Sequence, residues 1–306
     1  MRDSFGDVAG EIQAIAERAA IVPDAFDLVW VEGPDAVRFL QGLLSQEIES
    51  MAPGTVARAF LLAPQGKLRA LCWVVRDESR VGLAVDAGWA DRVIDDLTNY
   101  RIRVKAELRR EDRPVTSVWG PDSTRLVGLA DAERWQESAG VLLAPIPMPG
   151  LARVLVVGDV DLADVPRAGR LAAAAQRVAA GEPEFGRDVD ESTIPQETGL
   201  VPEAVSFTKG CYLGQELVAR IDTRGHVNRR LRSLAITRNV LPPEGAGVFA
   251  GERQVGSATS VTEGLASPVA LALLRREVEP GSEVQVRWEG GAVPAIVRSV
   301  PDRTRG

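Results

Sequence analysis

The first hundred residues alternate between stretches of helical and of strand-like hydrophobic spacing. In the segment 34–50, apolar residues recur at every third or fourth position and predict a helix that begins near Pro34. These residues are Val37, Leu40, Leu44 and Ile48. The segments 55–63 and 67–76 flank the turn PQG and predict a β-hairpin. The other predicted helices are EIQAIAERAA (11–20) and GWADRVIDDLTNYR (88–101), and the other predicted strands are FDLVWVEG (26–33), RVGLAVD (80–86) and IRVKAELRR (102–110).

The middle of the chain continues the α+β pattern. PVTSVWG (114–120) and RVLVVGD (153–159) have the β-branched composition of strands. RAGRLAAAAQRVAAGEP (167–183) predicts an alanine-rich helix that ends in its Gly and Pro residues. Residues 184–208 are rich in Pro, Asp, Glu, Ser and Thr, so we expect an irregular segment there.

After residue 230 the pattern changes to short strands separated by glycine-containing turns. About five such strands in the last part of the chain are typical of a small antiparallel barrel or sandwich. We therefore predict two domains, an α+β body over residues 1–230 and a β domain over residues 231–306.

The composition narrows the range of partners. The formal net charge of −7 argues against direct nucleic-acid binding, which depends on a basic face that neutralises phosphates. No stretch approaches the roughly 18 apolar residues of a membrane span, so no membrane partner is expected. The N-terminal MRDSFGDVAGEIQA lacks a basic region followed by an apolar one, which predicts a cytosolic protein.

Few residues are available for metal or nucleophilic chemistry. The chain has two cysteines, Cys72 and Cys211, and one histidine, His226. These are too few for a zinc site built from Cys and His alone. A catalytic histidine would have to be His226, but it lies in the polar stretch DTRGHVNRRLR, which favours a solvated turn residue.

The segment KGCYLGQE (209–216) concentrates reactive groups that are otherwise scarce. LGQELVARI predicts a helix that begins just after Cys211, so its thiol lies near a helix N-terminus. The helix dipole would favour the thiolate form of Cys211. Lys209, two residues before Cys211, and Arg220, if it folds back, would act in the same direction. The alternative is a buried cysteine that packs as a small apolar residue. Cys72, within the apolar LRALCWVV, is predicted to be such a buried residue.

The remaining residues of KGCYLGQE also suit a ligand site. Gly210 and Gly214 allow tight turns and a close approach of the backbone to a ligand. Tyr212 either stacks on a flat heterocycle or packs in the core. Gln215 and Glu216 have the groups to hydrogen-bond a ligand, although Glu216 equally suits the first turn of a helix.

The basic residues are uneven in kind, since only Lys67, Lys105 and Lys209 are lysines among 36 lysines and arginines. A retained lysine therefore hints at a place where a compact ammonium serves better than a planar guanidinium. Downstream of KGCYLGQE lies a basic cluster that either attracts an anionic group or is a solvated charge run. Its members are Arg224, Arg229, Arg230 and Arg232.

KGCYLGQE resembles the signature K-G-C-Y-x-G-Q-E of the YgfZ family of folate-binding proteins. The resemblance extends over residues 194–236 and to FLQGLLSQEI, LLAPQGKLRALCWVV, VGSATSV and ALALLRRE. The family is similar in fold to the T-protein of the glycine cleavage system, a folate-dependent aminomethyltransferase. The resemblance thus implies an α+β, T-protein-like, ring-like body with a C-terminal antiparallel β-barrel.

The resemblance also implies a ligand, partners and residue roles. The ligand would be tetrahydrofolate or a one-carbon derivative, held in a central cavity bordered by the signature. The partners would be iron–sulfur client enzymes, some of which modify tRNA, or cluster assembly proteins. Lys209 and Cys211 would be functional residues at the cavity mouth, and no metal ligand is expected. The expected folate-binding residues are Gly210, Tyr212, Gly214, Gln215, Glu216 and Arg220.

Two departures from the T-protein pattern argue against its enzymatic activity. Ala70 and Leu71 stand where the transferase has two aspartates in a G-x-x-x-D-D stretch, and Ala179 stands where it has a glutamate in R-x-E-A-G. Neither alanine nor leucine can transfer a proton. The leading interpretation is therefore a folate-binding accessory protein for iron–sulfur cluster assembly or repair. The alternatives are a folate-dependent one-carbon transferase or demethylase, and an interaction module with a vestigial pocket.

Overall fold

Two five-stranded sheets form the body, and a closed barrel follows them in the chain. The computed structural model describes residues 2–225, 227–264 and 267–301. The helices within these ranges are α1 (Val8–Glu17), α2 (Ala36–Gln41), α3 (Ala90–Thr98), α4 (Ser123–Val127), α5 (Arg170–Ala179), α6 (Val201–Ala204) and α7 (Gln215–Arg224). The strands of the body are β1 (Ala20–Pro23), β2 (Phe26–Glu32), β3 (Val56–Leu62), β4 (Leu68–Arg76), β5 (Arg80–Asp86), β6 (Glu107–Arg110), β7 (Val115–Trp119), β8 (Gln136–Ser138), β9 (Val141–Pro145) and β10 (Arg153–Val157).

The first sheet has the antiparallel order β3-β4-β5-β2-β6. The predicted hairpin is confirmed as β3 and β4, which are joined by a turn at Gly66 with φ of +79°. Successive residues of β2 enter different cores: Leu28 and Trp30 face one, and Val29 and Val31 face the other. Because alternate side chains of a strand point to opposite faces, this apolar strand is covered on both sides.

The second sheet has the antiparallel order β1-β7-β10-β9-β8. Val22 of β1 and Leu155 of β10 share a core with Leu28 and Trp30 of the first sheet, so the two sheets face each other. Helices α1 and α5 add Ile15 and other apolar residues to that core. The sequence prediction misses β1, β8 and β9, which are only three to five residues long.

Two predicted elements are shorter in the structure. The helix predicted over 34–50 ends at Gln41, and the prediction is wrong from Gly42 onward. Leu44 and Ile48 are nevertheless fully buried, because tertiary contacts fix the chain in an irregular path there. The strand predicted from residue 102 begins only at Glu107, after a turn in which Arg103 has φ of +59°. A left-handed residue cannot continue a strand.

The segment 184–208 is largely irregular, as predicted, with a 3₁₀ turn at Pro195–Glu197 and the short α6. The helix predicted after Cys211 is confirmed as α7, which begins at Gln215. His226, the histidine weighed above as a catalytic candidate, lies outside the described residues.

The C-terminal strands close into a six-stranded antiparallel barrel of order β11-β14-β13-β12-β15-β16. They are β11 (Arg229–Ile236), β12 (Gly247–Ala250), β13 (Arg253–Glu263), β14 (Pro268–Arg275), β15 (Glu283–Trp288) and β16 (Gly291–Arg298). Small and β-branched side chains such as Ala272, Val286 and Val297 fill its interior. The register of β13 against β14 shifts between Ala258 and Ser260, which makes Thr259 the extra residue of a β-bulge.

Candidate functional site

A cavity of about 250 Å³ lies between the two sheets of the body and helix α5. Aromatic rings of both sheets line it, with Phe26 and Trp73 from the first sheet and Trp119 from the second. Charged residues line it as well, among them Asp86 and Arg177. This combination of flat apolar walls and a few converging polar groups is typical of small-molecule sites.

Asp86 places a carboxyl group in the cavity wall at the end of β5. Its Oδ2 accepts a hydrogen bond from the backbone N–H of Phe185 at 2.9 Å. Burial raises the pKa of Asp86 to about 7, and the neighbouring carboxylates of Glu184 and Glu182 act in the same direction. A carboxyl group with such a pKa can both give and take a proton near neutral pH.

Two arginines stack on the aromatic walls. The guanidinium of Arg58 lies 4.3 Å from the ring centroid of Trp73, and that of Arg153 lies 4.9 Å and 5.0 Å from those of Phe26 and Trp119. Both guanidinium groups are buried and face the carboxylate of Glu182, which Arg58 contacts by a hydrogen bond and Arg153 approaches within 3.8 Å. The pairing compensates the cost of burying these charges and fixes the geometry of the wall.

Two further arginines mark the partly exposed edge of the cavity. Arg170 pairs with Asp3 at 2.7 Å and Arg187 pairs with Glu244 at 2.7 Å. Both guanidinium groups are accessible to solvent, so they can also meet an anionic group that enters from outside.

The segment 209–216 lies elsewhere, and Lys209 anchors it. The Lys209 ammonium donates hydrogen bonds to the carbonyl oxygens of Gln41, Leu44 and Gln46 at 2.7 to 2.8 Å. These three contacts use all three N–H groups of a lysine. They also explain why a compact ammonium is retained here, as the scarcity of lysine hinted. Burial lowers the pKa of Lys209 to about 8, while Glu47 acts to raise it, so the group remains largely protonated at pH 7.

The middle of the segment packs against the first sheet. Tyr212 is buried beside Phe60 and Leu68, so packing rather than stacking on a ligand describes its ring, and burial raises its pKa to about 12. Its backbone N–H donates to Oε1 of Gln215, which closes the loop into α7. Gly214 has φ of +77°, and a Cβ there would lie 2.6 Å from the carbonyl oxygen of Ala63. Glycine is therefore required by both conformation and space.

Cys211 is exposed at the surface of this loop, next to the exposed Gly210. Glu216 and Arg220 are likewise exposed, on α7. Lys209 directs its donors to backbone carbonyls, so it is not a hydrogen-bond donor to the Cys211 sulfur.

The expectation that the signature borders the central cavity is not met. None of the residues 209–216, nor Arg220, lines that cavity. Lys209 is anchored to the α2 region and Gly214 packs against the hairpin turn, so the loop lies beside the hairpin end of the first sheet, where Tyr212 packs against Phe60 of the cavity wall. The predicted folate-binding residues are brought together with one another, but not with the cavity.

The three residues that depart from the T-protein pattern lie in different parts of the structure. Leu71 lines the cavity, Ala70 is buried on the opposite face of β4, and Ala179 is exposed at the end of α5. Cys72 is buried, and burial raises the pKa of its thiol to about 12, so it is un-ionised at neutral pH.

The charged cavity residues were not found from the sequence. Asp86 ends β5 directly after the apolar run 81–85, and Glu182 and Glu184 flank a proline just after α5. A lone carboxylate at the end of a buried strand was the available signal. The packing of the two sheets against each other determines which strand ends lie close together. The sequence pattern does not predict this packing.

The fold and these features define a class of protein. The chain matches the GCVT N-terminal domain over residues 2–139 and the glycine cleavage T-protein C-terminal barrel domain over residues 229–301. Its fold is that of the glycine cleavage system aminomethyltransferase T from Bartonella henselae, with a TM-score of 0.83 over 96% of this chain and 89% of that chain at 19% identity. The predicted α+β T-protein-like fold with a C-terminal antiparallel barrel is confirmed.

Proteins of similar sequence identify the family of the chain within this class. The iron–sulfur cluster assembly factor IBA57, mitochondrial, of Homo sapiens is 32% identical over 96% of this chain and 87% of its own length. The IBA57 homolog of Pyricularia oryzae is 32% identical over 71% of this chain, which spans 57% of that protein. The chain belongs to the family that contains these iron–sulfur cluster assembly factors.

The comparison corrects the predicted cytosolic location, because both of these relatives are named as mitochondrial proteins. The prediction relied on the composition of the first residues, which does not decide the compartment. Among the described residues, no helix has the length and apolarity to cross a membrane. Within the same ranges, no group of three or more His, Cys, Asp or Glu side chains is arranged to hold a metal ion.

Proposed function

We propose that this chain is a folate-binding accessory protein, of the YgfZ type, that supports iron–sulfur cluster assembly or repair in client enzymes, including enzymes that modify tRNA. Its membership of the family of IBA57 assembly factors supports the iron–sulfur part. Its partners are then client enzymes or other assembly proteins. The T-protein-like cavity supports the folate part.

The residues of the cavity fit tetrahydrofolate or a one-carbon derivative. The volume of about 250 Å³ lies just below the range of about 300 to 1,000 Å³ for sites that enclose a whole ligand, so it suits the bicyclic head of a folate. Asp86 offers an acceptor to the N–H groups of a pterin edge. Arg187 and Arg170 at the exposed edge suit the anionic glutamate tail. When bound, the folate would supply one-carbon chemistry.

The observation that carries the iron–sulfur proposal is the exposed thiol of Cys211 on a loop fixed by Lys209. An exposed cysteine on a loop anchored by three hydrogen bonds is accessible to a partner protein or to a labile cluster, whereas the buried Cys72 is not. In this proposal the signature acts at the surface, and the cavity binds folate separately.

The test of the Cys211 role is complementation in cells that lack the native protein. Cys211→Ala is expected to fold and to bind folate normally, since the lost group is small and exposed, but to abolish activity of iron–sulfur client enzymes. Cys72→Ala is the matched control, expected to lose about 1 kcal/mol of stability through a small core cavity while supporting the clients. Full support of clients by Cys211→Ala would overturn the role of this thiol.

The test of folate binding is isothermal titration of the purified chain with tetrahydrofolate. Saturable heat is expected, and Asp86→Asn and Arg187→Ala should weaken the binding. No binding at millimolar tetrahydrofolate would overturn the folate part of the proposal without affecting the Cys211 part.

One observation favours a second candidate, a folate-dependent one-carbon transferase or demethylase. Leu71 replaces an aspartate of the transferase pattern, but Asp86 supplies a carboxyl group in the same cavity. The pKa of Asp86 is raised to about 7. Turnover of a methylated or aminomethylated substrate with tetrahydrofolate, lost in Asp86→Asn, would favour this candidate. Absence of turnover with functional complementation would favour the accessory role.

A further inference from the structure

The barrel reaches the wall of the central cavity through the segment 182–188. Glu182, Pro183, Glu184 and Arg187 of this segment line the cavity. The segment follows directly on α5, which packs against the barrel through Val178. The cavity wall and the barrel therefore share one short stretch of chain.

Arg177 is the centre of the contacts that fix this stretch. Its Nη1 donates to the backbone oxygen of Glu182 at 2.7 Å and to the carboxylate of Asp188, and its Nε lies 3.3 Å from the carboxylate of Glu184. The backbone N–H of Glu184 donates to Oδ2 of Asp188 at 3.0 Å. Arg177 and Asp188 are 7% and 2% exposed, so water does not compete for these bonds.

The barrel supplies the remaining bonds of this network from its β-bulge. The hydroxyl of Thr259, the extra residue of the bulge, donates to Oδ1 of Asp188 at 2.5 Å. Ser260 accepts a hydrogen bond from Nη2 of Arg177 at 2.7 Å. A regular strand would point consecutive side chains to opposite faces, whereas a bulge re-aims one of them. The bulge thus allows Thr259 and Ser260 to reach the same ion pair.

A second contact joins the same stretch to the barrel. Arg187, the neighbour of Asp188, pairs with Glu244 in the loop before β12 at 2.7 Å. Arg187 of the cavity wall and its neighbour Asp188 are therefore both held by barrel residues that do not themselves line the cavity.

We propose that Thr259 and Ser260 are positioning residues for the central cavity: through Arg177 and Asp188 they hold the segment 182–188 in the form that binds ligand, so that cavity occupancy and attachment of the barrel are coupled. The ligand part of this inference rests on the proposed folate binding. Because coupling free energies are reciprocal, a ligand that contacts the wall must also strengthen the attachment of the bulge.

The first test needs no ligand. Hydrogen exchange of the backbone amides of the segment 182–188, apart from Pro183, is compared in wild type, Thr259→Val and Thr262→Val. Thr262 is the matched control because it lies on the same strand, is buried, and directs its hydroxyl to the backbone of Glu263 instead of the network. Thr259→Val is expected to speed exchange in 182–188 about tenfold, which lies within the roughly 5- to 150-fold range typical of coupled sites. Thr262→Val should leave it unchanged.

The second test uses 5-formyltetrahydrofolate as a probe with the full chain. The probe is expected to slow exchange at residues 256–262 of wild type, and to bind Thr259→Val about tenfold more weakly. Thr259→Ser, which keeps the hydroxyl, should restore both properties. A general loss of packing would not be rescued in this way.

The outcomes separate the two proposals. Equal exchange of 182–188 in wild type and Thr259→Val overturns the positioning role, whether or not the probe binds. Faster exchange in Thr259→Val with no probe binding by wild type supports the positioning role and overturns the proposed folate binding. If Thr259→Val does not fold, Ser260→Ala removes the other barrel contact, and unchanged exchange in that variant overturns the inference.

Discussion

The Nζ atom of Lys209 lies 2.7 Å from the carbonyl oxygen of Leu44, 165 positions earlier in the chain. This bond, with those to Gln41 and Gln46, replaces the intrahelical bonds that would have continued α2. One ammonium group thus ends a helix and fixes the loop that carries Cys211.

Lys209→Met is expected to destabilise the chain by about 2 kcal/mol or more, because it leaves carbonyl groups without their charged donor. Lys209→Arg should also destabilise it, since a planar guanidinium cannot place donors on three carbonyls that surround a point charge. Urea unfolding measures both. Lys67→Met is the control at an exposed lysine, expected to stay within about 0.5 kcal/mol of wild type. Equal midpoints for the two Met variants would contradict the anchoring role.

The raised pKa of Asp86 predicts a pH dependence of stability. Its pKa of about 7 in the folded state lies above the ordinary aspartate value of 3.8, so the folded state binds more protons than the unfolded chain between these two pH values. Stability from this group is therefore present below pH 3.8 and is lost as the pH rises towards 7. Asp86→Asn, which keeps an acceptor for the Phe185 N–H, should flatten the curve of unfolding free energy between pH 4 and 7. Identical curves for the two proteins would show that Asp86 titrates normally.

Gly214→Ala tests the contact between the signature loop and the hairpin turn. The new Cβ would meet the carbonyl oxygen of Ala63 at 2.6 Å, in addition to the cost of a left-handed alanine. Gly128→Ala is the control, because its φ of +74° is similar but no atom lies within 4 Å of its Cβ. Gly214→Ala should cost about 1 to 3 kcal/mol more than Gly128→Ala in thermal or urea unfolding. A difference near zero would mean that the loop moves away freely.

Leu71 predicts that the chain does not replace the T-protein of the glycine cleavage system. A leucine in the cavity wall cannot act as the acid or base, and loss of such a group typically lowers the rate about 100- to 10,000-fold. A reconstituted glycine cleavage assay with this chain as the only T component measures the effect. Turnover at the rate of a T-protein would show that Asp86 or another group takes over proton transfer.

The elements with strong periodicity were predictable from the sequence. The hairpin of β3 and β4, helix α5 and the start of α7 follow from apolar spacing and from glycine and proline signals. The irregular path after Gly42 was not predictable, because the partner of its carbonyl groups, Lys209, is remote in sequence.

The signature loop and the central cavity also differ in how far the sequence predicts them. The signature was recognisable because its residues are contiguous. The cavity was not, because Asp86, Arg58 and Arg177 come from separate elements that meet only when the two sheets face each other. A contiguous motif is therefore visible in the sequence, whereas its position relative to the cavity depends on the tertiary structure.

The packing of Gly214 against Gly66 and Ala63 also sets an order of events during synthesis. The hairpin turn leaves the ribosome long before the signature, and contacts between remote positions form late because closing a long loop costs chain entropy. The Cys211 loop therefore takes its shape only after the hairpin on which it rests has folded. The thiol therefore reaches its fixed surface position only after residues 56–76 and 209–216 have met.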